Sequence, residues 1–296
     1  MCKCKQLLGV LLIIAVILAI AAAKVDFNKR KNTHSYYKVV NTFLNTHLIT
    51  VENDYVSRCI QKEGVWEPEV TRCVLENVKP SDVVIEIGAN IGYYTAMIAN
   101  ILRRGNGKLI SYEANKDVYR LAKASLILNN LESKVELKDL AISDKAGEVE
   151  FSYDGFDSLD SVIPANLGEA HITIPEDLKQ KRWKRRIVKC TFLDEDLADI
   201  PAIDVLRMDI EGSECLAIKG AKKLIERSPN LKIIMEWSPE TLRHYCNIDE
   251  FLKEIRAYGF EVYLIDDRYL DTGKMQKLSN DQLKKIEFTD ILLKRD

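Results

Sequence analysis

The feature that most constrains this chain is a repeated alternation of short apolar runs with helical segments. The run Val83–Ile87 reads VVIEI and is followed by a glycine turn and an apolar helical segment. Such runs are typical of strands buried on both faces of a parallel sheet. The alternation predicts a doubly wound, mostly parallel α/β sheet with helices on both faces. The later runs of this kind are Lys108–Tyr112, Val135–Leu140, Ile203–Met208 and Leu231–Met235.

Two further apolar runs, Glu261–Ile265 and Phe288–Leu293, lie near the C-terminus. Their position favours a final antiparallel pair of strands. With this pair, the predicted central sheet has seven strands in the main domain, residues 64–296.

Polar side chains follow four of the predicted strands at the point where each strand ends. These residues are Asn90, Glu113, Asp209 and Glu236. Parallel α/β sheets bind ligands beyond the carboxyl ends of their strands. The sequence therefore predicts one ligand site along a single edge of the sheet.

Composition excludes several classes of protein. The chain has 296 residues, of which 47% are hydrophobic, and its 43 basic and 45 acidic residues give a net charge of −2. A nucleic-acid-binding domain would be clearly basic, so we expect no nucleic-acid partner. The seven cysteines are irregularly spaced and form no CxxC pair, which indicates neither a disulfide framework nor a zinc site.

An unbroken apolar run, Leu7–Ala23, marks the N-terminus. It is near the lower limit of the about 17–25 residues that span a bilayer. We interpret residues 1–25 as an uncleaved transmembrane anchor and residues 26–63 as a stalk with an N-terminal helical extension. Cleavage after the small residues that end at Ala23 is the alternative. Lysine and arginine accumulate in residues 24–38, which predicts a cytoplasmic catalytic domain held at a membrane.

The first motif with chemical content is E-x-G-x-N-x-G, residues 86–92. A glycine turn lets the backbone approach a ligand closely. A dinucleotide fold would carry G-x-G-x-x-G, whereas Asn90 occupies the second glycine position here. The motif therefore favours a ligand without a pyrophosphate. The competing interpretation is a turn that needs glycine for packing alone.

Two acidic motifs accompany the glycine turn. Glu113 ends the second strand, and a carboxylate at that place can accept hydrogen bonds from both hydroxyls of a ribose. The segment Leu206–Glu214 places Asp209 and Glu211 at a strand–helix junction on the same edge. The competing interpretations are a solvated surface acid for Glu113 and a helix cap for Asp209.

Six segments of the chain carry a resemblance to a known family: Gly64–Glu69, Asp82–Thr95, Tyr112–Asn115, Leu140–Gly147, Leu206–Glu214 and Ile233–Pro239. They occur in the order and spacing of FkbM-type methyltransferases, a family that the chain resembles from about Val65 to Leu293. Glu86 stands where the family usually has Asp, and Ala114 where it usually has Pro; both are mild departures.

The resemblance implies a Rossmann-like domain that binds S-adenosyl-L-methionine (SAM). It implies that the glycine turn lines the methionine end of SAM, Glu113 holds the ribose, and 139–142 lie near the adenine. Asp209 and Glu211 would face the transferred methyl group. In an alternative arrangement, Glu236 would face it as well. The implied cofactor-binding residues are Glu86, Gly88, Ala89, Asn90, Gly92, Tyr93, Glu113, Ala114, Asp139, Leu140 and Ala141.

The function expected from these features is O-methylation of a hydroxyl on a sugar, glycolipid or other small molecule near a membrane. Asp209 is the first candidate for the base that removes the hydroxyl proton, and Glu211 is the second. A divalent metal between these acids and Glu236 is conceivable, but no sequence pattern requires it, so we predict no metal. Three further functions stay open: N-methylation of a protein or amine, a non-catalytic membrane-tethered SAM-binding module and, last, an NAD-dependent reductase.

Two segments are weak indicators of the acceptor. The basic run Lys179–Arg186 is a candidate contact for an anionic lipid or substrate, although a solvated loop explains it equally well. The polar loop Asp154–Ser161 is a candidate wall of the acceptor pocket, with an ordinary loop as the alternative.

Overall fold

Fourteen strands and eleven α-helices are assigned in the computed structural model, which describes residues 36–52, 54–154, 170–172 and 183–296. The strands are β1 (Tyr37–Asn41), β2 (His47–Val51), β3 (Val83–Ile87), β4 (Lys108–Tyr112), β5 (Val135–Lys138), β6 (Ala141–Ile142), β7 (Gly147–Asp154), β8 (Ala170–His171), β9 (Trp183–Thr191), β10 (Val205–Met208), β11 (Lys232–Trp237), β12 (Glu261–Ile265), β13 (Gln276–Leu278) and β14 (Thr289–Lys294).

The helices are short to medium in length, and a single 3₁₀ turn, Glu132–Lys134, precedes β5. They are α1 (Tyr55–Glu63), α2 (Pro68–Asn77), α3 (Tyr93–Leu102), α4 (Lys116–Leu128), α5 (Leu193–Asp196), α6 (Glu214–Lys219), α7 (Lys222–Glu226), α8 (Pro239–Leu242), α9 (Ile248–Ala257), α10 (Asp267–Thr272) and α11 (Asn280–Leu283).

The central sheet has the strand order β13-β12-β14-β11-β10-β3-β4-β5. The five strands from β11 to β5 run parallel, and β14, β12 and β13 pair antiparallel. The sheet therefore has eight strands rather than the predicted seven, because the three-residue β13 pairs with the outer edge of β12. The expected antiparallel pair near the C-terminus is present as β12 and β14.

Helices cover both faces of this sheet, as the pattern of apolar strands predicts. Successive side chains of a strand point to opposite faces. On β10, Val205 packs in one hydrophobic cluster with Met97 of α3, and Leu206 packs in another with Phe251 of α9. All four residues of β10 are buried, which explains why its sequence carries no alternation of polar and apolar residues.

A second sheet, of order β6-β9-β7-β8, follows β5 in the chain. Its main contact is the long antiparallel pair of β7 and β9, in which Val149 lies opposite Val188. The sequence predicted only a short β segment at 148–151. β7 is longer, because β9 supplies backbone partners for all eight of its residues.

The segment before residue 64 contains a helix, as expected, and also two strands that the sequence did not predict. Where we expected a stalk and a helical extension over 26–63, the described part forms a β1/β2 hairpin followed by α1. The strands are favoured by the β-branched residues of 47–51, and β2 docks on α4 through Ile49 N–H to Ser125 Oγ at 3.0 Å. Tyr37–Asp296 forms one compact unit, which includes the described residues before 64.

The predicted anchor, residues 1–25, lies outside the described residues. Among the described residues, no helix combines the length and apolar character needed to cross a membrane.

Candidate functional site

A cleft of about 290 Å³ opens where β3, β4, β10 and β11 end. Asn90, Glu113, Asp209 and Glu236 all line it, so the structure brings the four predicted strand-end residues together. The remaining lining residues are Tyr55, Val56, Trp66, Glu67, Ile87, Gly88, Tyr112, Ala114, Leu140, Ala141, Ile142, Phe151, Ile172, Ile210, Glu211, Ser213 and Phe288.

The turn after β3 brings backbone to the cleft. Gly88 and Asn90 have left-handed φ values of +85° and +50°. The N–H groups of Gly88 and Ala89 both donate to Tyr112 O, at 2.9 and 3.0 Å, and thereby fix the turn against the end of β4. Gly92 is the N-cap of α3 and packs on α4, where an added Cβ would lie 3.0 Å from Ala122 Cα. It therefore serves the packing of two helices and does not line the cleft.

Glu113 ties the glycine turn to the second strand. Its Oε2 accepts from Asn90 N–H at 2.8 Å, and its Oε1 accepts from Asn115 N–H at 2.7 Å. The carboxylate is buried, and desolvation raises its pKa to about 7. Each carboxylate oxygen keeps a further lone pair for a ligand hydroxyl.

Glu86 lies behind the cleft instead of lining it. The hydroxyls of Thr95 and Ser111 both donate to Glu86 Oε2 at 2.6 Å, and Oε1 is a buried oxygen without a hydrogen-bond partner. Burial raises the pKa of this carboxyl. Of the other predicted cofactor residues, Gly88, Asn90, Ala114, Leu140 and Ala141 line the cleft, whereas Ala89, Gly92, Tyr93 and Asp139 do not.

Three carboxylates converge at the ends of β10 and β11. One oxygen atom from each of Asp209, Glu211 and Glu236 lies within 4.8 Å of the others. Glu211 has a left-handed φ of +56°, and the following Gly212 has a φ of +97°. These two positive φ values turn the chain sharply after β10, so the Glu211 side chain shares the cleft with Asp209.

Arg207 orients one of these carboxylates. Its Nη2 donates to Asp209 Oδ2 at 3.0 Å, and its Nη1 donates to Gly88 O at 3.1 Å. The guanidinium also lies over the Tyr94 ring, 4.3 Å from the centroid. Arg207 is 4% exposed, so this cation bonds Asp209 and the glycine turn from inside the protein.

Sequence reasoning missed Glu67, another acid of the cleft. It precedes α2 with a left-handed φ of +42°, and the Tyr94 hydroxyl donates to its Oε2 at 2.9 Å. Burial and the nearby Asp209 raise its pKa to about 7. The sequence pointed to Glu67 only through the segment Gly64–Glu69, which is part of the family resemblance. Glu67 was not selected because this segment does not follow a predicted strand.

The rest of the cleft is apolar and aromatic. Leu140, Ala141 and Ile142 form one stretch of the lining between β5 and β7. Tyr55 and Trp66 meet edge to face, with ring centroids 5.8 Å apart, and Tyr55 is half exposed. Phe288, which precedes β14, is 63% exposed. The cleft therefore combines exposed aromatic rings with buried carboxylates.

The fold can be compared with solved structures. A methyltransferase FkbM from Methylobacillus flagellatus is 14% identical, with a TM-score of 0.44, over 73% of this chain and 44% of that chain, so this chain spans less than half of that protein. An O-methyltransferase from Bacillus cereus in complex with SAH is 15% identical, with a TM-score of 0.41, over 77% and 80% of the two chains. A SAM-dependent O-methyltransferase from Thermotoga maritima is 14% identical, with a TM-score of 0.41, over 88% and 86%.

The family of this chain follows from comparison of its sequence with known families. A search of curated proteins returned no match. Residues 86–262 match the family described as the methyltransferase FkbM domain. This stretch begins at Glu86 in the glycine-turn motif, ends in β12, and covers more than half of the 296 residues. The chain belongs to the FkbM methyltransferase family.

Proposed function

We propose that the protein transfers a methyl group from SAM to a hydroxyl oxygen of a sugar, glycolipid or other small hydroxylated molecule near a membrane. The observation that carries this proposal is the arrangement of one cleft. It joins a glycine turn, a ribose-accepting carboxylate and a group of acids at the ends of four neighbouring strands.

The residues present fit SAM. Gly88 and Asn90 offer backbone close to the ligand, and Glu113 holds lone pairs for two ribose hydroxyls. The apolar stretch Leu140–Ile142 suits the face of an adenine ring. Carboxylates at the opposite side suit the positive charge of a sulfonium. No lysine or arginine is among the described lining residues, which agrees with a ligand that lacks phosphates.

SAM, when bound, supplies a methyl group on a positively charged sulfur that leaves as a neutral thioether. The chain must align the acceptor oxygen and take up its proton. Asp209 is our first candidate for this proton acceptor and Glu211 the second. Arg207 holds Asp209 Oδ2, which leaves Oδ1 for the acceptor hydroxyl.

Glu236 adds a third carboxylate to this part of the cleft. Its burial, together with the charge of Asp209, raises its pKa well above the ordinary value of a glutamate. A carboxylate with a raised pKa accepts a proton more readily than an ordinary glutamate does. Glu236 therefore belongs in the acceptor region beside the two acids named from the sequence.

The aromatic residues at the mouth of the cleft support a hydroxylated ring as the acceptor. Exposed Tyr55 and Phe288 offer flat apolar faces, and the carboxylates accept hydrogen bonds from hydroxyl groups. The predicted anchor at residues 7–23 would hold this cleft close to lipid-linked acceptors.

An amine acceptor is the second candidate function. The described lining carries five carboxylates, Glu67, Glu113, Asp209, Glu211 and Glu236, and no basic side chain. Together with the aromatic rings, such a pocket also suits a cationic ammonium group. N-methylation would require this amine to lose a proton before it attacks the methyl group.

The test is transfer of label from methyl-labelled SAM by the full chain to membrane extracts, to purified glycans and to amine or peptide pools. We expect label in an extractable hydroxylated product. Asp209→Asn should abolish transfer, whereas the same change at exposed Asp199 should not. Label only in the amine pool would reject the hydroxyl acceptor, and undiminished transfer by Asp209→Asn would reject Asp209 as the base.

A further inference from the structure

We infer that Asp209, Glu211 and Glu236 bind a divalent cation such as Mg²⁺ or Mn²⁺ in the cleft. The sequence alone predicted no metal, because these residues come from the ends of two different strands and form no motif. The inference rests on three observations. They are the distances between the three carboxylates, the lack of a hydrogen-bond partner for Glu236 among the described residues, and the charge of the residues that line the cleft.

The geometry meets the requirement for a shared ligand. One oxygen of each carboxylate lies within 4.8 Å of the other two. Oxygens bound to one Mg²⁺ or Ca²⁺ at about 2.0–2.6 Å lie at most about 5 Å apart. The three side chains therefore reach a common cation without a change in the backbone.

Glu236 supplies the second, separate observation. It is 8% exposed, it lines the cleft, and its carboxylate makes no hydrogen bond or ion pair with any described residue. Two other carboxylates beside the cleft do have hydrogen-bond partners. Glu67 accepts from Tyr94, and Glu214 accepts from Ile210 N–H at 2.9 Å. A buried carboxylate without a partner is costly, so Glu236 points to a ligand that bonds it directly.

The charge of the cleft favours a cation over a neutral ligand. Within the described residues, the lining holds five carboxylates and no lysine, arginine or histidine. The one buried cation at the group, Arg207, bonds Asp209 Oδ2 from behind the cleft. Arg207 occupies only one oxygen of Asp209. Because Oδ1 has two lone pairs, it can coordinate a metal beside the other two acids and still accept a hydrogen bond from an acceptor hydroxyl.

The donor atoms select the class of metal. Three carboxylates are hard oxygen ligands, which suit Mg²⁺, Mn²⁺ and Ca²⁺, whereas Zn²⁺ sites in proteins favour nitrogen and sulfur. A cation held here would lower the pKa of a coordinated acceptor hydroxyl and so ease its deprotonation. This use in catalysis rests on the proposed function, but the binding of the cation does not.

The experiment measures binding in the absence of SAM and of any acceptor. The full chain is titrated with Mn²⁺, and the free ion is followed by its electron paramagnetic resonance signal. We expect one site in the wild type and at least a tenfold higher Kd in Glu236→Gln. The matched control is Glu240→Gln, the same change at an exposed residue four positions later, which should bind as the wild type does.

Glu236→Gln should fold, because glutamine is close to glutamate in size and no described residue bonds the Glu236 carboxyl group; a thermal melt checks this. Glu211→Gln is the second variant, and it should weaken binding in the same way. Failure of the wild type to bind Mn²⁺ at millimolar concentration would overturn the inference, and so would a Kd for Mn²⁺ in both cleft variants equal to that of the wild type. Methyl transfer that persists in EDTA, when wild type binds Mn²⁺ in the titration, would reject a role of the cation in catalysis while keeping both the site and the proposed function. Specific Mn²⁺ binding without methyl transfer to any acceptor would keep the metal site and reject the proposed function.

Discussion

A Cβ atom added to Gly88 would lie 2.1 Å from the carbonyl oxygen of Asp209. The two residues follow β3 and β10, which are neighbouring parallel strands with Ile87 opposite Met208. The glycine turn and the candidate base are therefore in direct backbone contact. Any side chain at residue 88 would push apart the two halves of the cleft.

Gly88→Ala should destabilise the fold and abolish SAM binding. The left-handed φ of +85° costs an alanine about 1–2 kcal/mol, and the clash adds about 1–3 kcal/mol. Urea unfolding measures the first effect and calorimetry the second. Gly147→Ala is the control, since Gly147 also has a positive φ but an added Cβ meets nothing within 4 Å. Equal losses in the two variants would show that close approach to Asp209 is unimportant.

SAM affinity should depend on pH through Glu113. Binding two ribose hydroxyls requires the ionised carboxylate, and burial raises the pKa of Glu113 to about 7. The affinity should therefore be constant above pH 7 and fall by up to about tenfold per unit below it. Glu113→Gln should bind more weakly at pH 8 and lose this dependence. If the SAM affinity of the variant fell with pH as steeply as that of the wild type, the pH dependence would belong to a group other than Glu113.

Arg207→Met should be strongly destabilising. The change leaves Asp209 without its partner and removes the hydrogen bond to Gly88 O and the contact with the Tyr94 ring. The Asp209 side chain left behind is 32% exposed, so the cost should fall below the about 3–5 kcal/mol of a fully buried pair. We expect about 2–3 kcal/mol, which urea unfolding at neutral pH would detect. The control is Arg120→Met, which removes a surface ion pair with Asp117 and should change stability little. A loss below about 1 kcal/mol for Arg207→Met would contradict the structural role.

Stability should decline as pH rises because of Glu214. Burial raises the pKa of its folded carboxyl to about 7 from an ordinary 4.5. The folded state thus binds this proton more tightly than the unfolded state, so the contribution is complete below about pH 4.5 and is lost as pH rises through 7. Glu214→Gln should be more stable than the wild type at pH 8 by about 1–3 kcal/mol, with little difference at pH 5.

Urea unfolding at several pH values measures the effect of Glu214→Gln. Glu226→Gln, at an exposed position of α7, is the control and should follow the wild-type profile. The expectation fails if wild type and Glu214→Gln respond to pH in parallel.

Much of the site was predictable because parallel strands end at one edge. Glu113 and Asp209 lie directly after apolar runs, so their position relative to each other follows from the order of the strands. Glu86 shows the limit of this reasoning, since it lies one residue before the end of β3. Side chains alternate along a strand, and this one points at Thr95 and Ser111 rather than at the edge.

Periodicity in the sequence determined the α/β class, the parallel strands and the residues that follow them, because burial on both faces of a sheet leaves a local apolar pattern. Only the tertiary structure decided which distant segments complete the cleft. Glu67 comes from the connection between α1 and α2, Phe151 from the second sheet and Phe288 from the segment before β14. Loops and edge elements fold over a site through long-range packing, which leaves no periodic signal. The unpartnered state of Glu236 is likewise a property of the folded molecule, because burial and hydrogen bonding depend on every element around the group.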